Sequence, residues 1–306
     1  MHVIDTGQGN CILVECPGGG LVLDDCGSLK ASLPPLKVER YINRIIRQYT
    51  DVYPILPRPL AVIASHPDRD HFDLIASSRY RIDPAFVSRV MIAQTLDAYP
   101  RDFQDWANAT EAVETFPPNA HGPLRAVKCG LARVELLTVN ASRRPGQKPP
   151  VSRNNADSAV IAIRYNQFLA VLPGDAEGPT EDQVLRNYPE LRPTLLVASH
   201  HGADTAGSNS RAWARALRPG IVIFSAAFDN SFGHPRASAV ENYLEQPGLL
   251  PVRAHHIEFY EDRTGPVPRT VDKAIYTTGY GGTIVVVADG KGGMGLDCAN
   301  ISAGGC

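Results

Sequence analysis

Long apolar segments are missing from this sequence. None of its 306 residues falls in an uncharged apolar run of about 18 or more, the length that a membrane-spanning helix requires. The first residues, MHVIDTGQGN, contain neither a basic region nor the apolar stretch of a secretory signal. We therefore expect a protein that has no membrane segment and is made without a Sec-type signal.

An excess of charge of either sign is also missing. Thirty basic residues against thirty-two acidic residues give a formal net charge of −2. Because no field of the whole molecule attracts nucleic acid or anionic lipid, any contact with DNA has to be local. With 43% hydrophobic residues, the chain can bury a substantial core and form an ordinary globular protein.

The cysteines show no CxxC pair and no zinc-finger spacing to a histidine. They are Cys11, Cys16, Cys26, Cys129, Cys298 and Cys306. The first three lie in apolar strand-like runs, which favours small core residues over a disulfide framework. This interpretation predicts a reducing, cytoplasmic location.

Periodicity divides the first half into short strands and one long helix. HVID, CILVEC and GLVLDDC are separated by turn residues, which predicts an antiparallel meander. KVERYINRIIRQY carries apolar residues at helical spacing, so we expect an amphipathic helix that covers a sheet. LAVIAS has the uninterrupted apolar pattern of a strand buried on both faces. Residues 80–120 look more helical and less regular.

The second half alternates strands with helices. VELLTV, SAVIAIRY, FLAVL, TLLVAS and GIVIFSA resemble strands, whereas TEDQVLRNY, SRAWARAL and ASAVENYLEQ resemble helices; IEFY, AIYTT and GTIVVVA are further strands. Two sheets with helices on the outside satisfy this pattern, which predicts a four-layer α/β/β/α sandwich. We expect one domain over residues 1–290 and a polar, Gly-rich tail over residues 291–306.

Potential metal ligands follow three of these strands directly. SHPDRDH follows LAVIA, Asp175 follows FLAVL, and a pair of histidines follows TLLVAS. Loops at strand ends are where rigid scaffolds present ligands, so we expect these side chains to meet. They are His66, Asp68, Asp70, His71, Asp175, His200 and His201.

The segment HPDRDH resembles the HxHxDH motif of the metallo-β-lactamase fold, in the HxDxDH form of the ComEC/Rec2 competence-protein hydrolase domain. Six further segments resemble motifs of that family in the same order: HVIDTGQGN, VLDDCG, NNADSAVI, LPGDAE, SHHGADTAGS and FDNSFGHP. They correspond to DVGQGD, IDxG, NxxS, TGD, HHGSxxS and NxxGHP. This resemblance extends over nearly the whole chain and implies a four-layer α/β/β/α sandwich of metallo-β-lactamase type.

The resemblance also implies a pair of metal sites. His66 and Asp68 would hold one divalent cation, Asp70 and His71 a second, and Asp175 would bridge them. One histidine of the 200/201 pair would complete the second site; we favour His201 as the ligand and His200 as a group that faces the substrate. Candidate catalytic groups are Asp70, His200 and His234.

The choice of metal follows from the ligand types. Asp68 stands where the family usually has a second histidine, and no histidine is evident in NNADS. A site that is poorer in nitrogen shifts preference from zinc toward manganese or a mixture, and predicts partial occupancy of the first site.

Several polar residues have both a site interpretation and an ordinary structural one. The resemblance places Asp25 behind a ligand histidine, whereas its alternative is a turn carboxylate; the adjacent Asp24 is interpreted as a solvated or turn residue. His234 either binds substrate and transfers a proton or is a turn histidine. The remaining candidates for substrate binding or support of the ligands are Asn10, Asn155, Ser158 and Arg69.

The sequence departs from the family pattern at positions that we expect to lie near the metal site and its entrance. Asn10 replaces the family's GQGD carboxylate, and Phe72 and Asp73 replace a Gly pair, which we expect to alter the loop at the entrance. Basic residues that could grip phosphates, or are simply solvated, are Arg69, Arg143, Arg144, Lys148, Arg153 and Arg236. We interpret His121, His255 and His256 as surface residues.

Three functions remain open. The leading one is a metal-dependent phosphodiesterase, and within that class a nuclease acting on DNA. The second is a hydrolase of a small ester, lactone or nucleotide, because one fold hosts many substrates. The third is a metal-binding regulatory or interaction module with a weakened site. A continuous basic groove would favour nucleic acid, and a narrow closed pocket would favour a small ester.

Overall fold

Two β-sheets packed face to face form the centre of the protein, and helices cover their outer faces. The computed structural model describes residues 1–29, 35–54, 58–76, 81–117, 120–124, 127–141, 155–262 and 265–298. The predicted four-layer α/β/β/α sandwich of metallo-β-lactamase type is therefore confirmed.

The strands of the described residues are short and fall into two sheets and one hairpin. They are His2–Val3 (β1), Cys11–Glu15 (β2), Leu21–Cys26 (β3), Leu60–Ala64 (β4), Val87–Ile92 (β5), Val113–Thr115 (β6), Gly122–Pro123 (β7), Arg133–Thr138 (β8), Val160–Tyr165 (β9), Phe168–Leu172 (β10), Leu195–Val197 (β11), Ile221–Phe224 (β12), Pro251–Phe259 (β13), Val267–Lys273 (β14), Ile275–Thr277 (β15), Ile284–Ala288 (β16) and Met294–Cys298 (β17).

The helices between them are Pro35–Val52 (α1), Arg69–Ala76 (α2), Arg101–Asn108 (α3), Gly178–Asn187 (α4), Arg211–Leu217 (α5), Ala237–Leu244 (α6) and Thr278–Gly281 (α7). Helices α1, α2 and α3 pack on the outer face of the first sheet, and α4, α5 and α6 pack on the outer face of the second.

The first sheet has the strand order β17-β16-β1-β2-β3-β4-β5-β6, and the second has the order β15-β12-β11-β10-β9-β8-β7. The predicted antiparallel meander β1-β2-β3 is present, and β3 to β6 continue in parallel. In the second sheet, β10, β11, β12 and β15 are parallel. The carboxyl ends of β4, β10, β11 and β12 carry the ligand-bearing loops.

Strand β4 shows why its sequence is apolar throughout. Ala61 and Ile63 face the core between the sheets, whereas Leu60 and Val62 lie under the helices of the outer layer. Because both faces are buried, no position of this strand alternates to a polar residue.

Three expectations about local structure need correction. Of the segment RDFQDWANATEAVETF, only Arg101–Asn108 is helical, and Val113–Thr115 is a strand. Phe72 and Asp73 lie within α2 and not on an entrance loop; the Phe72 ring is buried against Tyr99 and Phe103, with ring centroids 5.5 and 5.2 Å away. The segment predicted as a tail from residue 291 contains β17, which pairs with β16.

The interpretation of the cysteines as unpaired core residues was wrong. Cys11 and Cys26, which stand opposite each other on β2 and β3, form a disulfide, and Cys16 forms a second one with Cys129. Strand register and the approach of a distant segment bring these pairs together, and neither can be read from sequence spacing. The argument for a reducing compartment loses its basis, because disulfides persist mainly in oxidising ones.

Among the described residues, no helix is long and apolar enough to cross a membrane.

Candidate metal centre

The strand-end loops bring the predicted ligands into one buried centre. The ligand atoms of His66, His71 and Asp175 lie within 4.8 Å of one another, and so do those of Asp70, His71 and His201. The second group contains the three residues that the resemblance assigns to the second cation. His66 Nε2 lies 3.7 Å from Asp68 Oδ2 and 3.7 Å from Asp175 Oδ2, so Asp68 borders the same centre.

The backbone around helix α2 explains how His71 and Asp70 are fixed. The helix begins at Arg69, immediately after the turn that leaves β4, so both side chains lie in its first turn. Gly27 packs directly on this turn: a Cβ there would lie 2.3 Å from the Arg69 carbonyl oxygen. The Asn10 N–H donates to the Asp70 carbonyl at 2.9 Å. The turns of the first sheet that contain Asn10 and Gly27 therefore fix the position of the first turn of α2.

Each of three histidines has its Nδ1 in contact with a neighbour and its Nε2 turned to the centre. His71 Nδ1 lies 2.6 Å from Asp25 Oδ2, His201 Nδ1 lies 2.8 Å from the Ser225 carbonyl, and His66 Nδ1 lies 3.1 Å from Ser65 Oγ. Each Nε2 faces a carboxylate oxygen: His71 Nε2 lies 3.0 Å from Asp175 Oδ1, His201 Nε2 lies 3.4 Å from Asp70 Oδ2, and His66 Nε2 lies 3.7 Å from Asp175 Oδ2. Histidines that ligate metals are oriented in this way, so these residues fit a divalent cation.

Charge at the centre is balanced between histidines and carboxylates. Burial alone would lower the pKa of His71, but the carboxylates of Asp175 and Asp25 outweigh it and raise this pKa well above its usual value. Burial would raise the pKa of Asp175, yet His71, His201 and His200 hold it well below its usual range. Asp175 is thus ionised and faces three imidazoles.

The two adjacent histidines have different surroundings. Both adopt left-handed backbone conformations, with φ of 48° at His200 and 56° at His201. His201 is buried and its Nε2 lies 3.4 Å from Asp70 Oδ2. His200 is partly exposed, and its Nε2 lies 3.2 Å from Asn155 Nδ2 and 3.7 Å from Asp175 Oδ2. This arrangement favours the predicted division into a ligand and a group facing the substrate.

A buried carboxyl group that the sequence patterns missed holds this histidine turn. Glu181 Oε1 accepts from Ser199 Oγ at 3.0 Å and from the Asn209 N–H at 2.7 Å. Asn209 Nδ2 in turn donates to the carbonyls of Ser199 and Ala203, at 2.7 and 2.8 Å. The turn that carries both histidines is therefore tied to α4. Glu181 is 18 residues from Ser199 and 28 from Asn209, and no local motif connects them.

We expect the effect of Glu181→Gln on stability to depend on pH. Burial raises the pKa of Glu181 from 4.5 to about 8, so the folded protein keeps a proton that the unfolded chain releases within this window. Wild-type stability relative to the variant should fall as pH rises from about 5 to 8, by at most about 1.4 kcal/mol per pH unit. Urea unfolding at four pH values measures the difference. A difference in unfolding free energy between wild type and Glu181→Gln that stays constant with pH would contradict this prediction. The control is Glu190→Gln, which changes an exposed carboxylate.

The other predicted polar residues are placed as follows. Asn10 Nδ2 donates to Asp25 Oδ2 at 3.1 Å, so its amide supports the carboxylate behind His71. Ser158 is buried beside Gly174, and its N–H donates to the Asn155 carbonyl at 2.9 Å. Arg69 is exposed at the start of α2.

His234 lies at the rim. It is 7% exposed, and its ring centroid is 5.9 Å from that of His200. Burial, together with the nearby His201 and His200, lowers the pKa of His234 to about 3. It is therefore neutral at physiological pH, which suits a hydrogen-bonding group and not a proton-donating acid.

Two interpretations of single residues were wrong. Asp24 is neither solvated nor in a turn: it is 1% exposed, and burial followed by the charge of Asp25 raises its pKa well above its usual value. His255 is buried and stacks on Tyr276 at 4.7 Å between ring centroids, whereas His121 and His256 are exposed.

Of the basic residues that could bind phosphates, the structure describes Arg69 and Arg236. Arg236 Nε lies 3.8 Å from Asp204 Oδ1, so this guanidinium already faces a carboxylate. Four more of these residues lie outside the described residues: Arg143, Arg144, Lys148 and Arg153.

Comparison with known proteins agrees with the motifs. No protein-family model matches the chain. It is similar to the ComE operon protein 3 of Bacillus subtilis (strain 168), with 24% identity over 247 residues, which cover 79% of this chain and 30% of that protein. The chain thus spans less than a third of the length of this relative. The predicted resemblance to ComEC-like proteins with a metallo-β-lactamase fold is confirmed.

The chain is also similar to solved structures, each at low sequence identity. The metallo-β-lactamase fold protein YhfI from Bacillus subtilis has a TM-score of 0.44 at 15% identity, covering 79% of this chain and 91% of YhfI. A mutant of CmlA β-hydroxylase has a TM-score of 0.45 at 14% identity, covering 79% and 49%. The short form of human tRNase Z has a TM-score of 0.36 at 12% identity, covering 73% and 91%.

Proposed function

We propose that the protein is a metal-dependent phosphodiesterase that cleaves DNA. One observation carries the proposal: the Nε2 atoms of three buried histidines converge on the ionised carboxylate of Asp175, at 3.0, 3.5 and 3.7 Å from its oxygens. Burying so many titratable side chains in one place costs free energy unless their charged and polar atoms are satisfied, as a bound divalent cation would do. The arrangement has the histidine and carboxylate donors that zinc and manganese accept.

The chain supplies ligands for two cations. His66 and Asp68 would hold the first and Asp70, His71 and His201 the second, with Asp175 between them. Such cations would supply a water of lowered pKa and neutralise charge on a phosphoryl oxygen. The single nitrogen ligand proposed for the first site makes it the weaker one, and manganese is its better occupant.

Other residues of the chain orient the candidate ligands or are placed to contact a substrate. Asp25, through His71 Nδ1, fixes the ring so that Nε2 faces the centre, and Ser65 Oγ lies 2.8 Å from the same carboxylate. His200, whose Nε2 accepts from Asn155, is placed to contact a substrate oxygen. His234 is neutral and can donate or accept a hydrogen bond at the rim without binding a proton.

DNA is favoured as the substrate by the resemblance to the hydrolase domains of competence proteins. The experiment that tests the proposal is cleavage of labelled single- and double-stranded DNA by the purified protein with added manganese or zinc. We expect cleavage that needs the metal and is absent in Asp175→Asn. If the metal binds but no strand is cut, the nuclease proposal is wrong, and small phosphodiesters and lactones become the substrates to test.

A further inference from the structure

Two exposed phenylalanines lie on the loop between β12 and α6, at the edge of the metal centre. Phe228 is 49% exposed and Phe232 is 41% exposed. The Phe232 ring centroid lies 6.0 Å from that of His234, and Phe228 and His234 line one small cavity. Because His234 in turn neighbours His200, aromatic rings continue from the centre to the surface.

This loop is firmly held although its phenylalanines are exposed. Asn230 is 4% exposed, and its Nδ2 donates to the carbonyls of Ala227 and His234, at 3.0 and 2.6 Å. Its Oδ1 accepts from the His234 N–H at 3.0 Å, and its own N–H donates to Tyr260 Oη at 2.9 Å. The backbone that carries the two rings is therefore held in place, which reduces the loss of backbone entropy when a ligand binds to them.

The position of the rings limits what can cover them. A partner protein seated on Phe232 would also cover His234 and obstruct the metal centre, so a group of the substrate is the better occupant. In DNA, the groups that stack on aromatic side chains are bases whose faces are free, as in a single strand. In a duplex these faces are stacked on neighbouring base pairs.

We propose that Phe228 and Phe232 form a stacking platform for the bases of single-stranded DNA, which makes unpaired strands the preferred substrate. This inference rests on the proposed function. The His234 ring, with its centroid 6.0 Å from that of Phe232 and 5.9 Å from that of His200, extends the platform toward the metal centre.

The test compares a labelled single strand with an abasic strand of the same length. For Phe232→Ala and Phe228→Ala we expect KM for the normal strand to rise about 5- to 100-fold, with kcat unchanged within about twofold. Phe232→Tyr should keep the wild-type KM, and Leu131→Ala, which removes an exposed apolar side chain elsewhere, should have no effect. On the abasic strand, the alanine variants should match the wild type.

Equal KM values of wild type and Phe232→Ala on the normal strand would overturn the inference, and so would equal losses on both strands. Fluorescence anisotropy in EDTA, where no strand is cut, keeps this result separate from the proposed function. Weaker binding of the normal strand by the alanine variants supports the platform even if the wild type cleaves nothing. If the wild type binds the normal strand and the abasic strand equally tightly, the platform is contradicted even if cleavage is observed.

Discussion

His71→Ala is expected to lose more than about 100-fold in affinity for manganese and to abolish metal-dependent hydrolysis. His71 belongs to both clusters of candidate ligands, and its Nε2 lies 3.0 Å from Asp175 Oδ1. Outer partners of metal ligands typically contribute 10–100-fold to affinity, so removal of a ligand itself should cost at least the upper end of that range. Calorimetric titration of the metal-free protein measures the affinity.

Loss of fold has to be separated from loss of the ligand. The substitution also leaves the buried Asp25 carboxylate without its imidazole partner, which should cost about 1–3 kcal/mol in unfolding free energy. Ile46→Ala, in α1 on the outer face of the first sheet, should destabilise by about 2–5 kcal/mol and leave metal affinity unchanged. His256→Ala, on the surface, controls for loss of an imidazole. Unchanged manganese affinity in His71→Ala would refute the ligand assignment.

The double substitution Cys16→Ser with Cys129→Ser is expected to lower the free energy of unfolding by about 2–5 kcal/mol. This disulfide spans 113 residues and joins the end of β2 to the segment before β8, so it restricts the unfolded chain over a long loop. The pair Cys11 and Cys26 spans only 15 residues, and its removal should cost about 1–2 kcal/mol less on the same chain-entropy argument.

Urea unfolding with and without dithiothreitol checks this prediction. The wild type in reductant should be less stable than the wild type without it, and the midpoint of the double variant should shift less on reduction. Thiol titration of the unfolded, unreduced protein should detect none of these four cysteines. Four free thiols, together with an unfolding curve that reductant does not change, would contradict the paired state.

The sequence predicted the elements whose patterns are local. Helix α1 was predicted from its apolar spacing and strand β4 from its unbroken apolar run, and both lie within a few residues of the expected bounds. The convergence of the candidate ligands was predictable because each lies on a loop that follows a buried strand, and parallel strands end at a common edge.

What the sequence could not predict depends on contacts between distant segments. Asp24 shares a face with Val22 on β3, and only the second sheet makes that face interior. Glu181 reaches the histidine turn from another helix, and Asn230 acts through backbone groups whose positions depend on the fold. The disulfides require the strand register and the approach of residue 129, which no spacing rule contains.

Cleavage of a labelled single strand as a function of manganese equivalents per chain tests the central claim most directly. The rate should be zero in metal-free protein, rise with added manganese and reach its plateau once two equivalents are bound per chain, as calorimetry on the same sample would show. A protein that binds no manganese, or one that holds two equivalents and cuts neither strand nor duplex, would contradict the assignment of this centre as a two-metal phosphodiesterase.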